Sequence, residues 1–204
     1  MVRRVYAQQK VLELYQNMKS IRYPMAPEKL LGLLPIPTRM MSYSEMAKAS
    51  KCTVEDVAVM CSSEAGATHY DAANDRCLIL YNDAMPAGRI LWTQCHEIGH
   101  ICMGHLLLLS NPQIADTGGR AGNELEQEAD YFAWNLIAPL PIMRELGVCD
   151  IPGIIRTFGM SVQAANLHLD RYQKWMRGHT KTAWENNLIR EYRKKKNNWE
   201  LPSK

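Results

Sequence analysis

His96-Glu97-Ile98-Gly99-His100 is the stretch of this 204-residue chain from which both fold and chemistry can be read. On an α-helix, residues four apart lie about 40° apart in azimuth and one turn along the axis, so the two imidazoles can reach one ion together. Glu97 is turned away by about 100°, where it can address a water at that ion without ligating it. The pentad specifies a helix and zinc-hydrolase chemistry at once. Zinc lowers the pKa of a water to about 7 and polarises a carbonyl, and the carboxylate takes the water's proton and returns it to the leaving group.

Two histidines do not complete such a site, which takes three protein ligands and leaves a fourth position open. A Gly and a His three and six residues after His100 would supply the third, but Met103 and Leu106 stand there. His105, nine residues from His96, falls about 180° round the same helix and reads as a core-edge or surface residue. Cys95 and Cys102 flank the pair off its line and read as buried thiols. A second helical stretch, 123–138, offers Glu124, Glu126 and Glu128. Ala129, Asp130, Ala133 and Ile137 continue the Glu126 stripe, which is small and apolar and therefore faces the core. Glu124 and Glu128 lie about 200° away with Tyr131 and Asn135, on a face that reads as solvated. The expected ligands are thus His96, His100 and Glu126, with Glu97 as general base. Asp130, one turn beyond Glu126, is placed to accept the free N–H of a ligating histidine and so fix its tautomer.

The remaining sequence limits the setting. A hydrophobic content of 47% with 22% charged residues suits one well-buried globular core rather than a disordered chain. The longest aliphatic run, 106–109, falls far short of the roughly 20 residues a spanning helix needs, and residues 1–10 hold no apolar signal region. A soluble cytoplasmic protein with no membrane partner is expected. The six cysteines form no C-x-x-C pair and read as reduced thiols. From Gly178 onward seven basic residues face three acidic ones, leaving that end at +4 and the rest at −1 of the net +3. Such an end can reach nucleic acid or an acidic partner, although a solvated helical end is the commoner outcome.

Along the chain, 4–15 has helical periodicity and ends before Pro24 and Pro27, while 33–38 carries Pro35 and Pro37 and is extended or looped. Two short helices follow over 42–60, split near Ser50-Lys51-Cys52, the second opening on the capping pair Thr53/Asp56. Glu55 and Asp56 at its start argue against contact with DNA phosphates. Residues 67–81 read as a β-hairpin, whose sheet edge could hold an extended substrate by strand addition. The metal helix itself is expected over 90–109, stopped by Ser110-Asn111-Pro112.

Read together, Arg89-x-x-x-Thr93-x-x-His96-Glu97-x-Gly99-His100 and Glu126-x-Glu128-Ala129-x-x-Phe132-Ala133-x-x-Leu136-Ile137-x-Pro139, with the Phe158-Gly159-Met160-Ser161 turn, resemble the ImmA/IrrE family of metallopeptidases over 42–177. The resemblance implies an α+β, mostly helical zincin-like domain of gluzincin type, with a small antiparallel sheet preceding the H-E-x-x-H helix. It implies one zinc per chain on His96, His100 and Glu126, with Glu97 as base and Asp130 at a position where many members carry Asn. Well-known relatives cleave helix-turn-helix repressors of phages, mobile elements or stress regulons, so a narrow-specificity endopeptidase that derepresses transcription is expected. The chain departs from the family pattern at Leu169-Asp170-Arg171, where many relatives have an Arg-Leu pair, and in its basic extension.

The expected organisation is one metallopeptidase domain over 1–177, with a core about 42–140 and a helical part 141–177, then a basic tail over 178–204. Tyr70, His69 and His168 are candidates for an oxyanion donor. Two other readings stay open. In one, helices around the Phe158-Gly159 turn at 154–175 bind DNA through Gln163, Asn166, Arg171 and Lys174 and the zinc is structural. Against it, Val162, Ala165, Leu167 and Leu169 are expected to be consumed in packing. In the other, the chain is a partner-binding module with a latent zinc site.

Overall fold

Two packed helices, α4 (Ala87–Cys102) and α6 (Glu124–Ile137), form the centre of the computed structural model, which describes residues 2–108, 113–115, 124–178 and 180–196. The second half of α4 is buried on nearly every side, and α6 turns Ala129, Phe132, Ala133, Leu136 and Ile137 inward. They approach most closely at Gly99. A Cβ there would lie 3.0 Å from Cδ1 of Phe132 and 3.3 Å from Cα and the carbonyl oxygen of Ala129. A side chain at position 99 would wedge the two helices apart.

The metal helix ends earlier than its periodicity suggests. Gly104, at φ +72°, enters the left-handed region that glycine adopts without steric cost, and this breaks α4 before a single further turn, α5 (His105–Leu108). The expected stop at Ser110-Asn111-Pro112 lies outside the described residues.

A four-stranded sheet flanks α4, in the order β1 (Thr38–Ser42), β3 (Arg76–Tyr81), β2 (Gly66–Asp71), β4 (Gln113–Ala115). β2 and β3 form the expected hairpin, with Gly66 opposite Tyr81 and Asp71 opposite Arg76. The sheet is mixed, however, rather than antiparallel, because β1 runs parallel to β3, and β4 follows α4 in sequence instead of preceding it. Between β1 and β2 stand α2 (Tyr43–Ser50) and α3 (Val54–Cys61), each started by a complete capping box, Ser42 with Glu45 and Thr53 with Asp56. They close a small second core of Tyr43, Ala47, Val57, Cys61, Ala67 and Leu80.

The other side of α6 is covered by α1 (Arg4–Asn17), which buries Ala7, Val11, Leu14 and Tyr15. α7 (Leu140–Leu146), α8 (Ile151–Phe158) and α9 (Val162–Arg177) follow. Residues 183–195 of the stretch expected as a basic tail form α10 (Ala183–Lys195), which lies along α1 with Leu188 fully buried. The Trp184 indole donates to the Gln8 carbonyl at 2.7 Å, and the Lys195 ammonium donates to the carbonyls of Tyr15 and Gln16 at 2.6 Å each. Among the described residues no helix is long and apolar enough to cross a membrane.

Candidate metal centre

The α4–α6 contact brings His96, His100 and Glu126 together. His96 Nε2 lies 2.9 Å from His100 Nε2 and 3.2 Å from Glu126 Oε2, and His100 Nε2 lies 3.6 Å from Glu126 Oε1. All three residues are buried, with candidate ligand atoms within 4.8 Å of one another. Tetrahedral zinc with bonds of about 2.0–2.1 Å separates its ligand atoms by about 3.3 Å, and the observed distances bracket that value. Two imidazole nitrogens and one carboxylate oxygen are also a donor set that suits zinc. Burial pushes His100 down to about 4, so its ring is in the neutral, ligating form near pH 7. Burial alone would favour the protonated carboxyl of Glu126, but hydrogen bonds to His100 and His96 outweigh it and hold the group well below the usual carboxylate range.

Glu97 is fully buried beside this cluster and accepts a 2.6 Å hydrogen bond from the Thr68 hydroxyl on Oε2. Thr68 sits on β2, where alternation sends it towards α4 and leaves its neighbour His69 exposed. Sequence reading missed Thr68. The available signal was a polar residue at an inward strand position just upstream of the metal helix. Asp130 takes the place expected of it, its Oδ1 accepting from His96 Nδ1 at 3.0 Å.

Two expectations are overturned. Glu128, assigned to a solvated face, is 2% exposed, because the N-terminus of α1 covers the side of α6 that periodicity left to solvent. His105 is fully buried, because the break at Gly104 folds it back until its Nδ1 lies 2.9 Å from His100 Nδ1. A continuous helix would have carried it away.

Of the three oxyanion candidates, Tyr70 donates its hydroxyl to Asp75 at 2.8 Å and His168 donates Nε2–H to the Ala138 carbonyl at 2.6 Å. Both are thereby committed to partners outside the cluster. Cys95 and Cys102 are buried thiols whose pKa values burial raises, and neither belongs to the candidate ligand group. On α9, Val162 and Leu167 are exposed rather than packed, and the buried positions are Ala165, His168 and Tyr172. Arg171 lies 4.3 Å over the Trp134 ring and Lys174 pairs with Asp170 at 2.6 Å.

His168 gives a pH test of the helical packing. It stacks on Trp134 with ring centroids 4.9 Å apart, and burial, aided by the charge of Arg171 and opposed by the Ala138 hydrogen bond, lowers it to about 4. The unfolded chain takes up that proton near pH 6.5, so the folded state loses stability as pH falls from about 6.5 to 4, by up to about 3 kcal/mol. Denaturant midpoints of the metal-free protein at pH 7 and 4.5 are expected to fall less for His168→Gln than for wild type. Equal falls would show that this ring does not titrate as its surroundings dictate.

A family model described as the IrrE N-terminal-like domain matches residues 52–170, from the start of α3 into α9, with both helices of the cluster inside the match. No curated protein matches the chain.

Proposed function

Because the chain belongs to the IrrE N-terminal-like family of metallopeptidases, we propose that it is a cytoplasmic zinc endopeptidase of narrow specificity that cleaves a helix-turn-helix repressor and so releases transcription. In this reading His96, His100 and Glu126 hold one zinc ion, Glu97 is the general base, and Asp130 orients His96. The observation that carries it is the buried convergence of two imidazoles and one carboxylate, with a second carboxylate alongside on the same helix. Zinc, when bound, supplies the Lewis acidity that polarises the scissile carbonyl and activates water.

The remaining tasks fall to the protein's own groups. Glu97 takes the proton of the attacking water and delivers it to the departing amine. The Thr68 hydroxyl holds the Glu97 carboxylate in one orientation while that proton moves. The Asp130 carboxylate keeps the His96 proton on Nδ1 and leaves Nε2 for the metal. The repressor-type substrate and the phage, mobile-element or stress-regulon setting come from the resemblance over 42–177.

The test is metal analysis of the purified protein by plasma mass spectrometry, paired with incubation against repressors encoded beside its gene. About one zinc per chain and a chelator-sensitive cut are expected. A metal-free protein, or a cut that survives chelation, would overturn the assignment.

A further inference from the structure

The two histidines of the centre are anchored differently. His96 reaches a carboxylate, Asp130, in one step. His100 reaches one through another ring: its Nδ1 lies 2.9 Å from His105 Nδ1, and His105 Nε2 lies 3.0 Å from Glu128 Oε2. The Glu128 carboxylate is clamped in turn by Arg3. The Arg3 backbone N–H donates to Oε1 at 2.7 Å, Nη2 donates to Oε2 at 2.7 Å, and Nε reaches both oxygens at 3.1 and 3.0 Å.

Ligation through His100 Nε2 leaves one consistent placement of the protons. His100 carries its proton on Nδ1 and donates it to the Nδ1 lone pair of His105. His105 then carries its own proton on Nε2 and donates it to Glu128. The opposite direction would put a proton on His100 Nε2, facing the ion. Burying a histidine and a glutamate side by side is costly unless their polar atoms find partners, and here each named atom has one. Arg3 occupies the N-cap position of α1, so the Glu128 charge faces the positive end of that helix.

We propose that His105, Glu128 and Arg3 form a positioning relay that fixes the tautomer and ring plane of His100 and so sets the zinc affinity of the centre. The relay rests on the assignment of His96, His100 and Glu126 as ligands. Its outermost member stands at the N-terminal end of α1, outside the 52–170 family match, so in this proposal the start of the N-terminal helix helps to hold the metal.

The experiment is competition titration of zinc against a chromophoric chelator, with the visible absorption of the cobalt-substituted protein as a readout of ligand geometry. His105→Leu is expected to raise the zinc Kd roughly 10- to 100-fold and shift the cobalt bands. His105→Gln should recover most of the affinity, because its amide oxygen can accept from His100 while its N–H donates to Glu128. Arg3→Ala should weaken binding by a smaller, roughly several-fold factor, and Arg3→Lys by less, the sign expected when an outer partner of a ligand is loosened. Circular dichroism of the metal-free proteins checks folding. Should His105→Leu fail to fold, the surface variant Arg3→Ala decides alone. Folded variants with wild-type Kd and unchanged cobalt bands would overturn the relay while leaving the ligand assignment standing. A wild-type protein that takes up neither ion would overturn both.

Discussion

Glu97→Gln is expected to retain about one zinc per chain and to lose about 10²- to 10⁴-fold in peptide hydrolysis. Glutamine keeps the shape of the side chain and can still accept from Thr68, so α4 and the three ligand positions should be undisturbed. It cannot take a proton from water at neutral pH. The loss should therefore fall on turnover, with melting temperature and metal content close to wild type. Single-turnover cleavage of the identified substrate, with zinc measured on the same samples, is the check. Wild-type cleavage by a zinc-loaded Glu97→Gln protein would remove Glu97 from the mechanism.

The second large effect is expected at Glu126. Alanine there leaves two imidazoles facing a cavity, with no carboxylate charge to offset a divalent ion and one ligand too few. The variant should lose most of its zinc and all zinc-dependent stabilisation. A ligand present at a thousand times its Kd stabilises the folded state by about 4 kcal/mol, so added zinc should raise the wild-type melting temperature by several degrees and leave the variant where it was. An equal rise in both proteins would mean that zinc sits elsewhere. The metal-free variant is also informative, because hydrogen bonds to His100 and His96 outweigh the desolvation cost of the Glu126 carboxylate, and alanine leaves both buried rings without that partner. Its stability without zinc should fall below that of the wild type.

What was legible in the sequence was local. The i, i+4 histidines, the phase that turns Glu126 inward, the capping pair at Thr53 and the β2–β3 hairpin all depend on neighbours within one or two turns, and periodicity reports those directly. What was not legible depended on which distant segment covers a given face. Glu128 had every mark of a solvated residue until α1 was laid over it, and nothing in residues 124–137 announces a partner 125 positions upstream. His105 was misplaced because one glycine ended a helix that hydrophobic residues on both sides would have continued. β1 escaped notice since its parallel partner β3 lies beyond two helices and another strand, so no turn signal joins them. The same holds for α10, whose charged sequence conceals the buried Leu188 stripe that seats it on α1.

The position of α1 also sets an order in time. This helix leaves the ribosome well before its two principal neighbours, α6 and α10, which are made only after about 120 and 180 further residues respectively. Contacts so far apart in sequence form slowly, because a long loop must close before they return any stabilisation. The nascent chain therefore exposes the apolar side of α1 until α6 has been made, and the two histidines on α4 are complete before Glu126 and Glu128 are available to pair with them or with Arg3. If the proposed relay sets the metal affinity, metal capture would belong to the end of folding, with α10, the last described helix, seating α1 in the position from which Arg3 reaches Glu128.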